Sequence, residues 1–259
     1  MVSQPLYRES FGFIPLMSIK KDNEMKKLFI AVMMSTMVST GAVAVERKPI
    51  EQIDTNAFTS DTQVTASGAG ENHIALAWWM PIEFWESIFA KDKNASEAAE
   101  KSVLDAMSGV SLIAVVEADV SALGAFDYYA KEEIEEGMKL SYFDSDGQKH
   151  SLSPVEKIDP DLEVVLGTLK PVLTAAMGNL GNNMHFYVLN DRAESSSRLL
   201  DPYEKGRIDI KISTRDDVPM YANIEMPINA LFVPRKCPNG KDAHVSWQYC
   251  PWSGTKLEE

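Results

Sequence analysis

The run Val110-Ser-Leu-Ile-Ala-Val-Val-Glu-Ala118 has too few polar residues to form the edge of a sheet. Its length and β-branched content predict a strand, and its apolar continuity places that strand inside a sheet. The segments around it decide what it packs against. His73 to Trp79 reads as another buried strand. Pro81 then stands at a first helical position, and Phe84, Trp85, Ile88 and Phe89 follow at helical spacing. Asn94 or Ser96 caps a second helix that runs to about Met107 and is closed by Gly109. Phe126 to Glu136 also reads as helical. Met138 to Phe143 and Gln148 to Leu152 flank Asp144-Ser-Asp-Gly147, a hairpin signal because glycine takes positive φ freely. A long helix is expected from Asp159 to about Met177, kinked or split at Pro171 and stopped at Gly178. Met184–Leu189, the cleanly alternating Gly206–Ile212, Met220–Glu225 and Ala230–Val233 supply further strands.

Helices and strands are mixed, but not as a regular β-α-β repeat. The expected fold class is therefore α+β: a mainly antiparallel sheet with helices on one face, plus a small C-terminal appendage. The globular domain spans 71–235. Residues 45–70 are polar, end in small residues and read as an extended lead-in.

Met25 opens a second kind of pattern. Lys26-Lys27 precedes the apolar run Leu28-Phe-Ile-Ala-Val-Met-Met34, and Ala42-Val-Ala44 offers a small-x-small cleavage site. This is the layout of a secretory signal peptide over 25–44, cleaved after Ala44. The run falls short of the roughly 20 apolar residues that span a bilayer. Secretion signals sit at the start of a chain, so residues 1–24 read as a mis-assigned leader and Met25 as the true start. Removing residues 1–44 leaves 20 basic against 35 acidic residues, a formal charge of −15. Such a surface repels phosphate backbones, so nucleic acid is not an expected partner. No membrane span is expected in the mature chain, whose place is the periplasm or the extracellular space.

The tail contains the only two cysteines, Cys237 and Cys250. An exported chain meets an oxidising compartment, where two cysteines permit one intramolecular disulfide. A redox-active pair is the weaker reading, because the thiols lack the C-x-x-C spacing. Around them stand Cys237-Pro238, Gly240, Tyr249-Cys-Pro-Trp252 and Gly254-Thr-Lys-Leu257. This tail, over 236–257, resembles a degenerate zinc ribbon. The resemblance implies two knuckles lying close together, which would bring Cys237 and Cys250 within bonding distance. Two of the four cysteines are missing: Ser253 stands in the place of one, and the first knuckle reads Cys237-Pro-Asn-Gly. In the metal alternative Cys237, His244 and Cys250 supply three ligands, with Asp242 or a distant residue as the fourth. No cofactor is expected.

Trp78, Trp79 and Trp85 form the densest aromatic cluster. They read as core first and as a possible sugar or peptide platform second. Trp78 and Trp79 must face opposite ways on a strand, so one of them needs a second buried layer or a partner. The four histidines are scattered, and neither a nucleophile elbow, a His-Glu-x-x-His motif nor a P-loop is present. The expected function is therefore a non-enzymatic binding or structural module with a protein or small-molecule ligand. The alternative is a hydrolase whose site is assembled from residues distant in sequence.

Overall fold

The computed structural model describes residues 45–192 and 198–257. The leader, the signal peptide and its cleavage residues Ala42 and Ala44 lie outside them. Two antiparallel sheets make up the body, as the α+β expectation requires. The first contains β1 (Gln63–Thr65), β2 (His73–Met80), β3 (Val110–Val120), β4 (Phe126–Tyr128) and β7 (His185–Asn190). The central strand is β3: β2 pairs along one edge, while β7 and β4 share the other. The second sheet has the order β6-β5-β8-β9, from β5 (Lys139–Phe143), β6 (Lys149–Leu152), β8 (Gly206–Ser213) and β9 (Pro219–Met226).

The sheets are joined at both edges. Ser67 and Tyr221 exchange backbone hydrogen bonds of 3.1 and 3.0 Å between the β1 and β9 edges. At the other side Val155 N–H donates to the Val188 carbonyl at 2.8 Å, linking the chain after β6 to β7. Gly68 is required at the first seam, since a Cβ there would lie 2.5 Å from the Pro219 carbonyl oxygen.

Burial follows from this layering. Residues 111–118 of β3 are all buried, and Leu112 to Val116 belong to the same apolar core as Ile208, Ile210 and Ile212 of the second sheet. Strand β8, with one face to the core, alternates buried and half-buried along its whole length. Trp78 and Trp79 do point to opposite faces, and both layers are present. Trp78 meets Phe84 edge-on at 5.2 Å, on helix α2 (Ile82–Phe89), while Trp79 is fully buried. Helix α3 (Glu97–Met107) starts at Ser96, whose side chain accepts from Ala99 N–H.

Four expectations need correcting. Residues 45–70 are not an extended lead-in. They hold α1 (Thr55–Thr62), capped by Asp54, with Ile53 and Phe58 fully buried. Phe126–Glu136 divides into β4 and the short α4 (Lys131–Gly137). Helix α5 (Pro160–Met177) runs unbroken through Pro171. The ring's usual clash is with the carbonyl four residues back, here on exposed Gly167. It ends at Gly178, φ 59°, and a short α6 (Asn179–Asn182) follows. Finally, Ala230–Val233 contributes to a 3-10 turn over Asn229–Leu231 and one bridge from Phe232 to Arg47, not to a regular strand.

Candidate binding site in the C-terminal tail

The tail is built from two turns, each opened by a cysteine. Arg235–Lys236 (β10) pairs with Asp242–Ala243 (β11). Between them Cys237 N–H donates to the Lys241 carbonyl, and Gly240 N–H donates back to the Cys237 carbonyl, both at 2.8 Å. The second turn repeats the scheme: Cys250 N–H donates to Thr255 and Gly254 N–H to Cys250, again at 2.8 Å. Gly240 and Gly254 close the turns at φ 79° and 68°, a geometry that disfavours other residues. Cys237 and Cys250 are bonded to each other with their Cα atoms 5.6 Å apart, as the two-cysteine count requires. With Ala243 and Leu257 they form a separate small core, too small to be held by apolar burial alone. The bond takes both sulfurs away from the metal alternative. His244, its third ligand, bonds Ser246 Oγ through Nδ1 at 2.8 Å. Among the described residues no group of three or more His, Cys, Asp or Glu side chains is arranged to hold a metal.

Side-chain bonds then fix the tail against the body. Asn229 Oδ1 accepts from Val245 N–H at 2.8 Å, and the Arg235 guanidinium donates to the carbonyls of Val245 and Trp247. Between this strip and the second sheet lies a cleft of about 910 Å³. Phe143, Asp144, Arg207 and Glu225 line it from the sheet; His244, Trp247 and Gln248 line it from the tail. The hairpin that supplies Asp144 is the turn expected from Asp144-Ser-Asp-Gly147, with Gly147 N–H donating to the Asp144 carbonyl at 3.0 Å. His150 bonds the Asp144 carboxylate at 2.8 Å and, with two backbone N–H groups, holds its pKa below the usual range. Arg207 is tied to Asp209 and lies over the Phe143 ring.

The five tryptophans divide sharply by location. Trp78, Trp79 and Trp85 are 5, 0 and 3 % exposed, so they are core and offer no platform to a ligand. Trp247 and Trp252 are 36 and 51 % exposed, and Tyr249 is 56 % exposed. The two tail rings meet edge-to-face at 5.9 Å. Lys241 covers one side of Trp252 at 4.8 Å. Chemically the cleft offers hydrogen-bond donors and acceptors beside an aromatic wall. The Ser246–His244 pair is the nearest approach to a nucleophile and base. However, Ser246 N–H also points at Nδ1, and among the described residues no carboxylate bonds Nε2, so the pair is a local turn contact.

A second constellation is buried where the sheets meet. His73 Nε2 lies 2.9 Å from Glu117 Oε1, and Nδ1 lies 2.8 Å from Asp119 Oδ1. A neutral imidazole donates from one nitrogen only, so two ionised carboxylates cannot both be satisfied by it. A protonated Glu117 fits this geometry, since its O–H can donate to Nε2 while Nδ1–H donates to Asp119. Glu117 is buried, and burial pushes its pKa up to about 7 against the pull of His73. Glu117 Oε2 has no partner among the described residues. Arg215, from the turn between β8 and β9, closes the network: it lies 3.9 Å over the Tyr129 ring and donates to Glu133 and Asp127, each at 2.8 Å. Sequence reasoning passed over this network. The one usable signal was Glu117 itself, a lone carboxylate in an otherwise apolar buried run, which demands a partner.

A third polar cluster pins the segment after residue 197. Asp191 accepts from Ser111 Oγ at 3.0 Å and from Arg198 Nε at 2.8 Å, and Arg198 also binds Glu83.

No helix among the described residues is long and apolar enough to cross a membrane. No family model matches this chain, and neither a curated protein nor a solved structure is significantly similar to it.

Proposed function

We propose that this is an exported, non-enzymatic binding module whose ligand enters the cleft between the second sheet and the disulfide-clamped tail. One observation carries the reading. The fold buries three tryptophans to 5 % or less exposure, yet leaves Trp247 and Trp252 in water on a covalently fastened strip beside a cleft of about 910 Å³. Exposed aromatic surface costs about 25 cal/mol per Å² when nothing covers it. Concentrated on a rigid element beside a cleft, it is the expected form of a contact surface. The disulfide supports an oxidising compartment, and with it the secretory reading of residues 25–44. The paired turns, each opened by a cysteine and closed by a glycine, support the likeness to a zinc ribbon whose metal has been replaced by one bond.

The test is a thermal-shift screen of the oxidised protein beside its Trp247→Ala variant, against neutral and charged saccharides, peptides, nucleotides and lipids. At least one class should raise the melting temperature of the wild type and not of the variant. Ligands that stabilise both proteins equally would remove the cleft from consideration.

A further inference from the structure

We infer that the cleft takes an uncharged oligosaccharide, an inference that rests on reading the cleft as the ligand site. Charge is the first reason. The cleft is lined by two cations, Lys205 and Arg207, and two carboxylates, Asp144 and Glu225, so its formal charges cancel in a chain whose net charge is −13. Two of the four are already satisfied within the protein. Arg207 forks onto Asp209 at 2.6 and 3.2 Å, and Asp144 is held by His150 and by the N–H groups of Asp146 and Gln148. A charged ligand would thus gain little uncompensated charge and would meet groups of its own sign.

Hydrogen-bonding chemistry is the second. Ser145, Ser246 and Gln248 each offer both a donor and an acceptor, and Glu225 adds an acceptor. Neighbouring sugar hydroxyls likewise donate and accept at once. The apolar C–H face of a pyranose also needs a flat aromatic partner, which Trp247 supplies at the cleft wall. Trp252 lies outside the cleft but only 5.9 Å from Trp247, ring centre to ring centre, so a second sugar unit leaving the cleft meets a second ring.

Shape favours this occupant over a protein partner, and the peptide arm of the experiment below tests the other competitor. A volume near 910 Å³ falls in the range of about 300–1,000 Å³ typical of small-ligand clefts, whereas a protein partner needs a broad surface. An extended peptide gains affinity chiefly by adding a strand to an open sheet edge. Strands β5 and β8, which line the cleft, are each paired on both sides, so the one outer edge there is that of β9, which adds Glu225 and Met226.

The experiment is isothermal titration and array binding of the full secreted, oxidised protein. The probes are neutral oligosaccharides (gluco-, manno-, galacto- and N-acetylglucosamine series), sulfated and uronic-acid oligosaccharides, and a peptide library. A neutral oligosaccharide should bind with an affinity that changes less than about twofold between 50 and 500 mM salt. Trp247→Ala should weaken it at least about tenfold, and Trp252→Ala should weaken the disaccharide or longer chain but not the monosaccharide. Both rings are exposed, so both variants should keep the wild-type melting temperature, which separates loss of binding from loss of folding. Binding of charged sugars or peptides alone, lost in Trp247→Ala, would overturn the uncharged-oligosaccharide assignment and leave the cleft as the site. Binding indifferent to Trp247→Ala, or no binding by any probe, would overturn both.

Discussion

Replacing Glu117 by glutamine tests the proton held between the sheets. Glu117 lies in the fully buried middle of β3, and its pKa is pushed up to about 7 from an ordinary 4.5, mainly by burial, with His73 opposing. The folded protein therefore binds this proton more tightly than the unfolded chain does. The stability linked to it is complete below pH 4.5 and is lost as the pH rises towards 7. At about 1.36 kcal/mol per pKa unit, the loss comes to about 3 kcal/mol. Glutamine keeps the shape, offers His73 Nε2 an N–H donor and has no proton to lose. Glu117→Gln should therefore gain about 3 kcal/mol on the wild type between pH 4 and pH 8. Urea unfolding followed by the fluorescence of the buried tryptophans at pH 4, 6 and 8 measures this directly. A stability difference that is flat with pH, or one in which the wild type gains as the pH rises, would refute the shared-proton account of His73, Glu117 and Asp119.

Three further outcomes are expected. Purified protein should show no free thiol until reduced, and Cys237→Ser/Cys250→Ser should cost about 3 kcal/mol, with increased hydrogen exchange confined to residues beyond 233. Asp191→Ala should cost about 1–3 kcal/mol, because it removes one of the two carboxylates that hold Arg198 and the acceptor of Ser111; Asp191→Asn should recover part of that loss, and chemical denaturation of the two variants decides it. The N-terminal sequence of protein recovered from the secreted fraction should begin at Val45; a chain that retains residues before Ala44 would contradict the signal-peptide reading.

Periodicity and punctuation were enough for most of the longer strands and helices. The apolar run from Val110, the alternation of Gly206–Ile212 and the Asp144–Gly147 turn each state their structure locally, because burial of one or both faces leaves a period in the residues themselves. Helix α1 escaped notice because Thr55-Asn-Ala-Phe-Thr-Ser-Asp-Thr62 has one large apolar residue, Phe58, and no stripe; its helix is held by the Asp54 cap and by the core that Phe58 enters. Count and compartment likewise sufficed for the disulfide, since two cysteines allow only one pairing within the chain.

The tryptophans mark where such reading ends. All five look alike in sequence, and whether a ring is buried depends on which second layer covers it. Phe84 of α2 meets Trp78 and is itself backed by Phe58 of α1, whereas Trp252 meets only Trp247 and Lys241 of the same tail and stays half exposed. The same holds for His73: its partners Glu117 and Asp119, and the Arg215 that bonds Asp119, meet only once β2, β3 and the β8–β9 turn are in place. From the amino acids alone came most of the longer elements, their apolar faces and the one covalent staple, because these depend on neighbours a few residues away or on a simple count. Tertiary structure decided the cleft, the exposed rings and the buried proton, because each is made by contacts between residues that the local chain does not relate.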